Sequence, residues 1–153
     1  MKYLYLFVLC IFVLSPILSQ NVILRSQSDV DNFKKNYGNP KIINELEIWN
    51  TINNLDSLDN LEYIKYFVNF KPWDSLRSVN GLKKLKKIDR IHLVYSPNDS
   101  LVFPVLDTVG TISIENRSFP DIRIRPLFFK NIKFIKSSLD FVGNFAYEAF
   151  PYF

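Results

Sequence analysis

Residues 57–64 read SLDNLEYI, and residues 81–88 repeat that pattern as GLKKLKKI. The two copies begin 24 residues apart, and each spaces its apolar residues three positions apart before it ends on an isoleucine. A third copy is FPVLDTV at residues 103–109, and a weaker fourth is LFFKNI at residues 127–132. A period of roughly 20–25 residues indicates a repeat architecture, because such a unit cannot bury its own apolar face and must stack on copies of itself.

Short β-prone segments recur with the same period, at steps of 21, 24, 21 and 23 residues. Alternation with a period of two predicts that the first residue of each segment points inward and the second points outward. The segments are Leu46-Glu47-Ile48, Phe67-Val68-Asn69, Ile91-His92-Leu93, Ile112-Ser113-Ile114 and Ile135-Lys136-Ser137. The sequence therefore predicts an α/β repeat solenoid with one short parallel strand per turn. An ordinary α/β fold is the alternative, but the connections are too short for a full helix between every pair of strands.

The exposed apolar ends of a solenoid need caps. At the N-terminal end we expect a starting strand at residues 22–24 and a capping helix over residues 26–37, with Ser26 or Ser28 as N-cap and Gly38 as a stop signal. One face of this helix would cover the first rung with Val30, Phe33 and Tyr37. Residues 139–153 are rich in Phe and Tyr and are interpreted as a C-terminal cap.

The first 19 residues have the features of a secretory signal peptide. Lys2 forms a short positive region and residues 4–14 are apolar. A transmembrane anchor is the weaker alternative, because Ser15 and Pro16 interrupt the run well short of the roughly 20 apolar residues needed to cross a bilayer. We therefore expect a signal peptide at residues 1–19, a single domain at residues 20–153 and no membrane span after cleavage.

Composition limits the class of protein further. With 48% hydrophobic and 16% aromatic residues, the chain is expected to be globular rather than disordered. The single cysteine, Cys10, lies in the signal segment, so the processed domain would have no disulfide, which is more typical of a bacterial envelope or secreted protein than of a small secreted animal domain. The net charge of +4 is mixed along the chain, and the basic cluster at residues 83–87 contains an apolar leucine, which predicts a solvated face rather than a nucleic-acid site.

Several segments together resemble a known family. They are SQSDVDNF at residues 26–33, LDSLDNL at residues 55–61 and LRSVNGL at residues 76–82, each followed by aliphatic residues at strand spacing. This pattern is similar to the receptor L domain, a right-handed β-helix related to leucine-rich repeats, and the match weakens after about residue 95. The resemblance implies a secreted binding scaffold of bacterial type without a catalytic site, and it implies the fold far more than a ligand.

Outward residues of the predicted sheet form rows when the strands stack. An exposed sheet that carries aromatic residues beside charges is a candidate recognition surface. Alternatively, Trp49, Tyr66 and Phe70 could be covered or pack on one another. The candidate binding residues are Glu45, Glu47, Trp49, Tyr66, Val68, Phe70, Arg90, His92 and Ser113.

No residue pattern predicts catalysis, a metal site or a cofactor. His92 is the only histidine and has no obvious catalytic or metal-binding partner, so we interpret it as a surface residue. We expect an exported, non-enzymatic recognition module, secreted or in the cell envelope, that binds an unidentified protein or glycan at the cell surface and does not bind nucleic acid. A structural envelope component that self-associates is the alternative, and an enzyme ranks third.

Overall fold

The computed structural model describes residues 20–71, 75–94, 103–115 and 131–142. Within these ranges the chain forms one six-stranded sheet in which every neighbouring pair is parallel and the strands lie in sequence order. The predicted parallel sheet is therefore confirmed, and it is open, with β1 at one edge and β6 at the other. The strands are β1 (Asn21–Leu24), β2 (Ile42–Ile48), β3 (Tyr63–Phe70), β4 (Lys87–Val94), β5 (Thr108–Glu115) and β6 (Phe134–Val142).

The inner face of the sheet is built from three columns of buried aliphatic and aromatic side chains. Neighbouring strands place the same kind of residue at the same height, so each rung packs against the next with no polar group between them. The columns are Ile43, Ile64, Ile88 and Val109; then Leu46, Val68, Ile91 and Ile112; then Ile48, Phe70, Leu93 and Ile114.

Strand β3 has one more residue between the first two columns than its neighbours have. Ile64 pairs with Ile88 and Val68 with Ile91, so four positions in β3 span the distance that three positions span in β4. The register shifts at this point, which is the signature of a β-bulge. The expectation that Phe67 points inward and Val68 outward is wrong, because the extra residue puts Val68 beside Leu46 and Ile91.

The predicted register of β6 is also wrong. Ile135 pairs with Val109 rather than with Ile112, and Leu139 takes the place beside Ile112. A second register shift between β5 and β6 accounts for the displacement. Leu139, assigned from the sequence to a C-terminal cap, therefore belongs to the last strand of the described sheet.

The 24-residue repeat is visible in the turns that precede β3 and β4. The chain forms a 3₁₀ turn at Asp56–Leu58 and another at Asn80–Leu82. Each is closed by an equivalent backbone hydrogen bond, from Leu58 N to Leu55 O at 3.0 Å and from Leu82 N to Val79 O at 2.8 Å. The second turn lies directly on the first, and Gly81 is buried where they meet.

The N-terminal cap is helical as predicted but is divided into α1 (Gln27–Asp31) and α2 (Phe33–Tyr37). Ser26 is the N-cap, and it forms a reciprocal capping box with Asp29. Asn32 separates the two helices, and its side-chain amide donates to the carbonyl of Ser28 at 2.9 Å. Val30 and Phe33 are buried and Tyr37 packs against the core, so the predicted apolar face is confirmed.

Some predictions fall outside the described residues. These are the signal peptide at residues 1–19, nearly all of the fourth repeat copy and the part of the C-terminal cap beyond residue 142. In the part of the chain that is described, no helix is long and apolar enough to cross a membrane.

Candidate functional site

The outer face of the sheet carries most of the residues that the sequence identified as a recognition surface. Glu47, Asn69, His92 and Ser113 lie side by side at one height on β2, β3, β4 and β5. Three of them were predicted to share a row, and Asn69 occupies the place predicted for Val68. The missed residue was detectable, because an inward Asn69 would have put an amide in the core.

Two predicted site residues do not reach this face. Val68 is 1% exposed and Phe70 is 0% exposed, so both belong to the core. The ring of Phe70 packs edge-on against that of Phe103, with 6.1 Å between the centroids. The bulge in β3 is the physical reason, because the extra residue puts Val68 and Phe70 in register with the inward residues of β2 and β4 and leaves Phe67 and Asn69 on the outer side.

Trp49 remains on the surface but is held by its neighbours. Its indole Nε1 donates to Glu47 Oε1 at 2.6 Å, and the Arg25 guanidinium lies 5.7 Å from the ring centroid. Lys71 Nζ approaches the same Glu47 oxygen at 3.9 Å. These contacts fix the orientation of the indole and occupy the Glu47 carboxylate, so the polar groups at this end of the face already have partners within the chain.

His92 has two partners that sequence reasoning did not assign. Its Nδ1 lies 3.2 Å from Asn69 Oδ1, and its Nε2 lies 3.4 Å from Glu115 Oε2. The imidazole is therefore positioned between an amide and a carboxylate on the outer face, with 31% of its side chain exposed. Among the described residues, no group of three or more His, Cys, Asp or Glu side chains is placed to hold a metal ion.

The bulge in β3 produces a groove on the outer face. The extra residue displaces Tyr66 outward, where 59% of it is exposed, and the space beside it extends across β4 to β5. Gly110 on β5 lies so close to β4 that any side chain there would strike the Asp89 carbonyl. The groove has a volume of about 340 Å³ and is lined by Lys65, Tyr66, Phe67, Asp89, Arg90 and Thr111.

Asp89, the acidic residue of the groove lining among the described residues, is already engaged. Tyr63 OH donates to Asp89 Oδ1 at 3.2 Å, and Lys87 Nζ lies 3.5 Å from the same oxygen. Lys87 also donates to Tyr63 OH at 2.9 Å. This hydrogen bond, together with the nearby Asp89 charge, raises the pKa of Lys87 above its usual range and keeps its ammonium charged.

The two cations of the groove are free by comparison. Neither Lys65 nor Arg90 forms an ion pair with another residue in the described ranges. Glu45, a candidate residue from the sequence, lies on β2 in register with Phe67, and Phe67 is in turn in register with Arg90 on β4. One strand therefore separates Glu45 from Arg90. The groove therefore presents an exposed aromatic ring beside two positive charges that have no ion-pair partner among the described residues.

The basic cluster at residues 83–87 lies elsewhere, on the turn that leads into β4. Leu85 is buried, whereas Lys83, Lys84 and Lys86 are exposed, which confirms the predicted solvated face.

No protein-family model, no curated protein and no solved structure matches this chain.

Proposed function

We propose that this chain is an exported recognition module of the receptor L-domain type, in which the strands and turns stack as a right-handed solenoid. The sequence-ordered parallel sheet supports this architecture. The two stacked 3₁₀ turns, 24 residues apart, support it as well. The N-terminal segment favours export to the envelope or the extracellular space.

The groove at the β3 bulge is the observation that carries the functional proposal. Tyr66 is a large exposed ring on β3, and Arg90 stands on the neighbouring strand with its charge unpaired among the described residues. Tyr and Arg are the residue types that most often dominate recognition surfaces. The module would therefore bind a protein or glycan of the cell surface through this groove, without catalytic chemistry and without a cofactor.

A binding screen tests the proposal. The full chain is expressed, and the host processes it. The purified product is applied to surface glycans and envelope extracts. A double variant, Tyr66→Ala with Arg90→Ala, should keep the circular dichroism spectrum and lose the binding. Lys83→Ala is the matched control, because it removes an exposed cation of the turn before β4 that does not line the groove. Equal binding by the double variant and the wild-type protein would refute the assignment of the surface.

A structural role in the envelope is the second candidate, and the open edge of the sheet favours it. On β6, the last strand of the described sheet, Phe134 is 63% exposed and Val142 is 53% exposed. Unpaired strand edges with apolar side chains promote association of one chain with another. Light scattering should then show assembly that grows with concentration and is weakened by Val142→Lys, whereas a strict monomer would exclude this role.

A further inference from the structure

We infer that the groove at the β3 bulge binds a sugar that carries a carboxylate, as part of an acidic glycan. This inference rests on the proposed function and specifies the ligand of the same groove. It is argued from the charge balance of the groove, from its one exposed ring and from its size.

The charge balance favours an anion. The Asp89 carboxylate is shared between Tyr63 and Lys87, so its negative charge is compensated before any ligand arrives. Lys65 and Arg90 remain, and Glu45 stands two strands away from Arg90, roughly 10 Å at ordinary strand spacing. A guanidinium recognises a carboxylate with two parallel hydrogen bonds, and this geometry distinguishes a carboxylate from an uncharged ester.

The exposed ring favours a sugar as the carrier of that carboxylate. Tyr66 offers a flat apolar surface against which the C–H face of a pyranose ring can lie, and its hydroxyl remains available to polar groups. Thr111 and Asp89 line the same groove, and a hydroxyl can donate to or accept from a sugar hydroxyl, while a carboxylate oxygen can accept from one.

The size of the groove separates a sugar from a protein partner. A volume of about 340 Å³ lies near the lower end of the range for small-molecule sites, which is about 300–1,000 Å³. A stable protein interface would instead need a complementary surface of about 800 Å² on each partner. A groove of this size fits one or two sugar units better than a folded protein.

The experiment measures binding of a defined panel by saturation-transfer NMR and calorimetry. The probes are the methyl glycosides of galacturonic, glucuronic and N-acetylneuraminic acid, each paired with its methyl ester. At least one acid should bind saturably to the complete purified chain, and its ester should bind about tenfold more weakly or worse, as expected from the loss of a charged hydrogen-bonded contact. Three outcomes would overturn the inference: no acid binds, an ester binds as tightly as its acid, or Arg90→Gln leaves the affinity unchanged.

Matched variants locate the site. Arg90→Gln removes the guanidinium and should cost about tenfold in affinity for the acid, while Tyr66→Ala should weaken acid and ester alike. Lys83→Gln removes one exposed positive charge from the turn and should change the affinity less than twofold, because exposed charges beyond a Debye length of about 8 Å are screened.

The failure of this inference can be distinguished from the failure of the proposed function. If the acids do not bind but the wider screen yields another partner that the Tyr66→Ala, Arg90→Ala double variant loses, the recognition surface stands and only its ligand class is wrong. If every partner found binds the double variant normally, both are wrong.

Discussion

Replacing Gly81 with alanine should destabilise the protein more than any other single-methyl addition in the described turns. Gly81 lies in the second 3₁₀ turn, and a Cβ there would overlap the carbonyl of Leu55 and lie 2.8 Å from the Cα of Asp56. Both neighbours are backbone, so no side-chain rotation can relieve the overlap. The Leu55 carbonyl also accepts the hydrogen bond that closes the first turn, from Leu58 N at 3.0 Å.

The magnitude follows from this geometry. Overpacking of a buried site costs about 1–3 kcal/mol, and we expect Gly81→Ala at or above the upper limit because two backbone segments must separate. A loss of about 3 kcal/mol lowers the melting temperature of a domain of this size by roughly 10 °C. Thermal unfolding followed by circular dichroism, together with urea titration, measures both quantities.

Two control variants isolate the steric effect. Ser57→Ala changes the equivalent position of the first turn, 24 residues earlier, and should shift the free energy of unfolding by less than about 0.5 kcal/mol. Gly38→Ala tests a glycine with φ of 73° and open space around it, where we expect a backbone cost of about 1 kcal/mol. If Gly81→Ala proves no more harmful than Ser57→Ala, the two turns do not stack and the repeat geometry described above is wrong.

Three further predictions test separate parts of the structure. Val68→Asp should lower the free energy of unfolding by on the order of 4 kcal/mol or more, because it buries an unpaired charge. Asn69→Asp on the outer face should lower it much less. If urea unfolding ranks the two variants in the reverse order, the corrected register of β3 is wrong. The pKa of Asp29 is held below its ordinary value of 3.8, chiefly by a hydrogen bond from the backbone amide of Arg25, so the carboxylate stabilises the fold above pH 3.8 and this effect is lost as the pH falls through the depressed pKa. Asp29→Asn should therefore flatten the decline of the free energy of unfolding below pH 4. An unchanged acid profile would count against this role. Tyr63→Phe removes the hydroxyl that accepts from Lys87 and should lower the pKa of that lysine in an NMR titration, while an unmoved pKa would show that the hydrogen bond is not its main cause.

The repeat could be predicted from the sequence because identical physical demands recur at a fixed interval. Leu55, Leu58, Leu61 and Ile64 are buried, and so are the residues 24 positions later, Val79, Leu82, Leu85 and Ile88. Ile64 and Ile88 pair across the sheet, and the 3₁₀ turns that contain Leu58 and Leu82 pack against each other, so the repeat in the sequence corresponds to a repeat of buried positions.

The register of β3 could not be predicted by carrying the position of the inward residues from one repeat to the next. A bulge adds one residue to β3 relative to its neighbours, so four positions separate the inward Ile64 and Val68, whereas three separate Ile88 and Ile91 in β4. The residue types held a partial signal. Val68 and Phe70 are both apolar, whereas an inward pair of Phe67 and Asn69 would include the polar Asn69. The same bulge forms the groove, so the site as a whole could not be predicted, although Tyr66 and Arg90 were correctly placed on the outer face.

The partners of His92 illustrate a second limit of sequence reasoning. Asn69 and Glu115 come from strands on either side of it, 23 residues away in each direction. Only the aligned register of β3, β4 and β5 brings the three together, and that register depends on the bulge. A histidine that is isolated in the sequence is therefore held by two polar groups in the fold.

The most direct test of recognition through the bulge groove is chemical-shift mapping with the tightest partner that the binding screen yields. The complete, isotope-labelled chain is titrated with that partner while backbone amide positions are followed by NMR. We predict saturable shifts concentrated at residues 65–67, 89–90 and 111, with little change at residues 83–86. Shifts centred on another part of the surface, or a folded protein that binds nothing in the screen, would contradict the account.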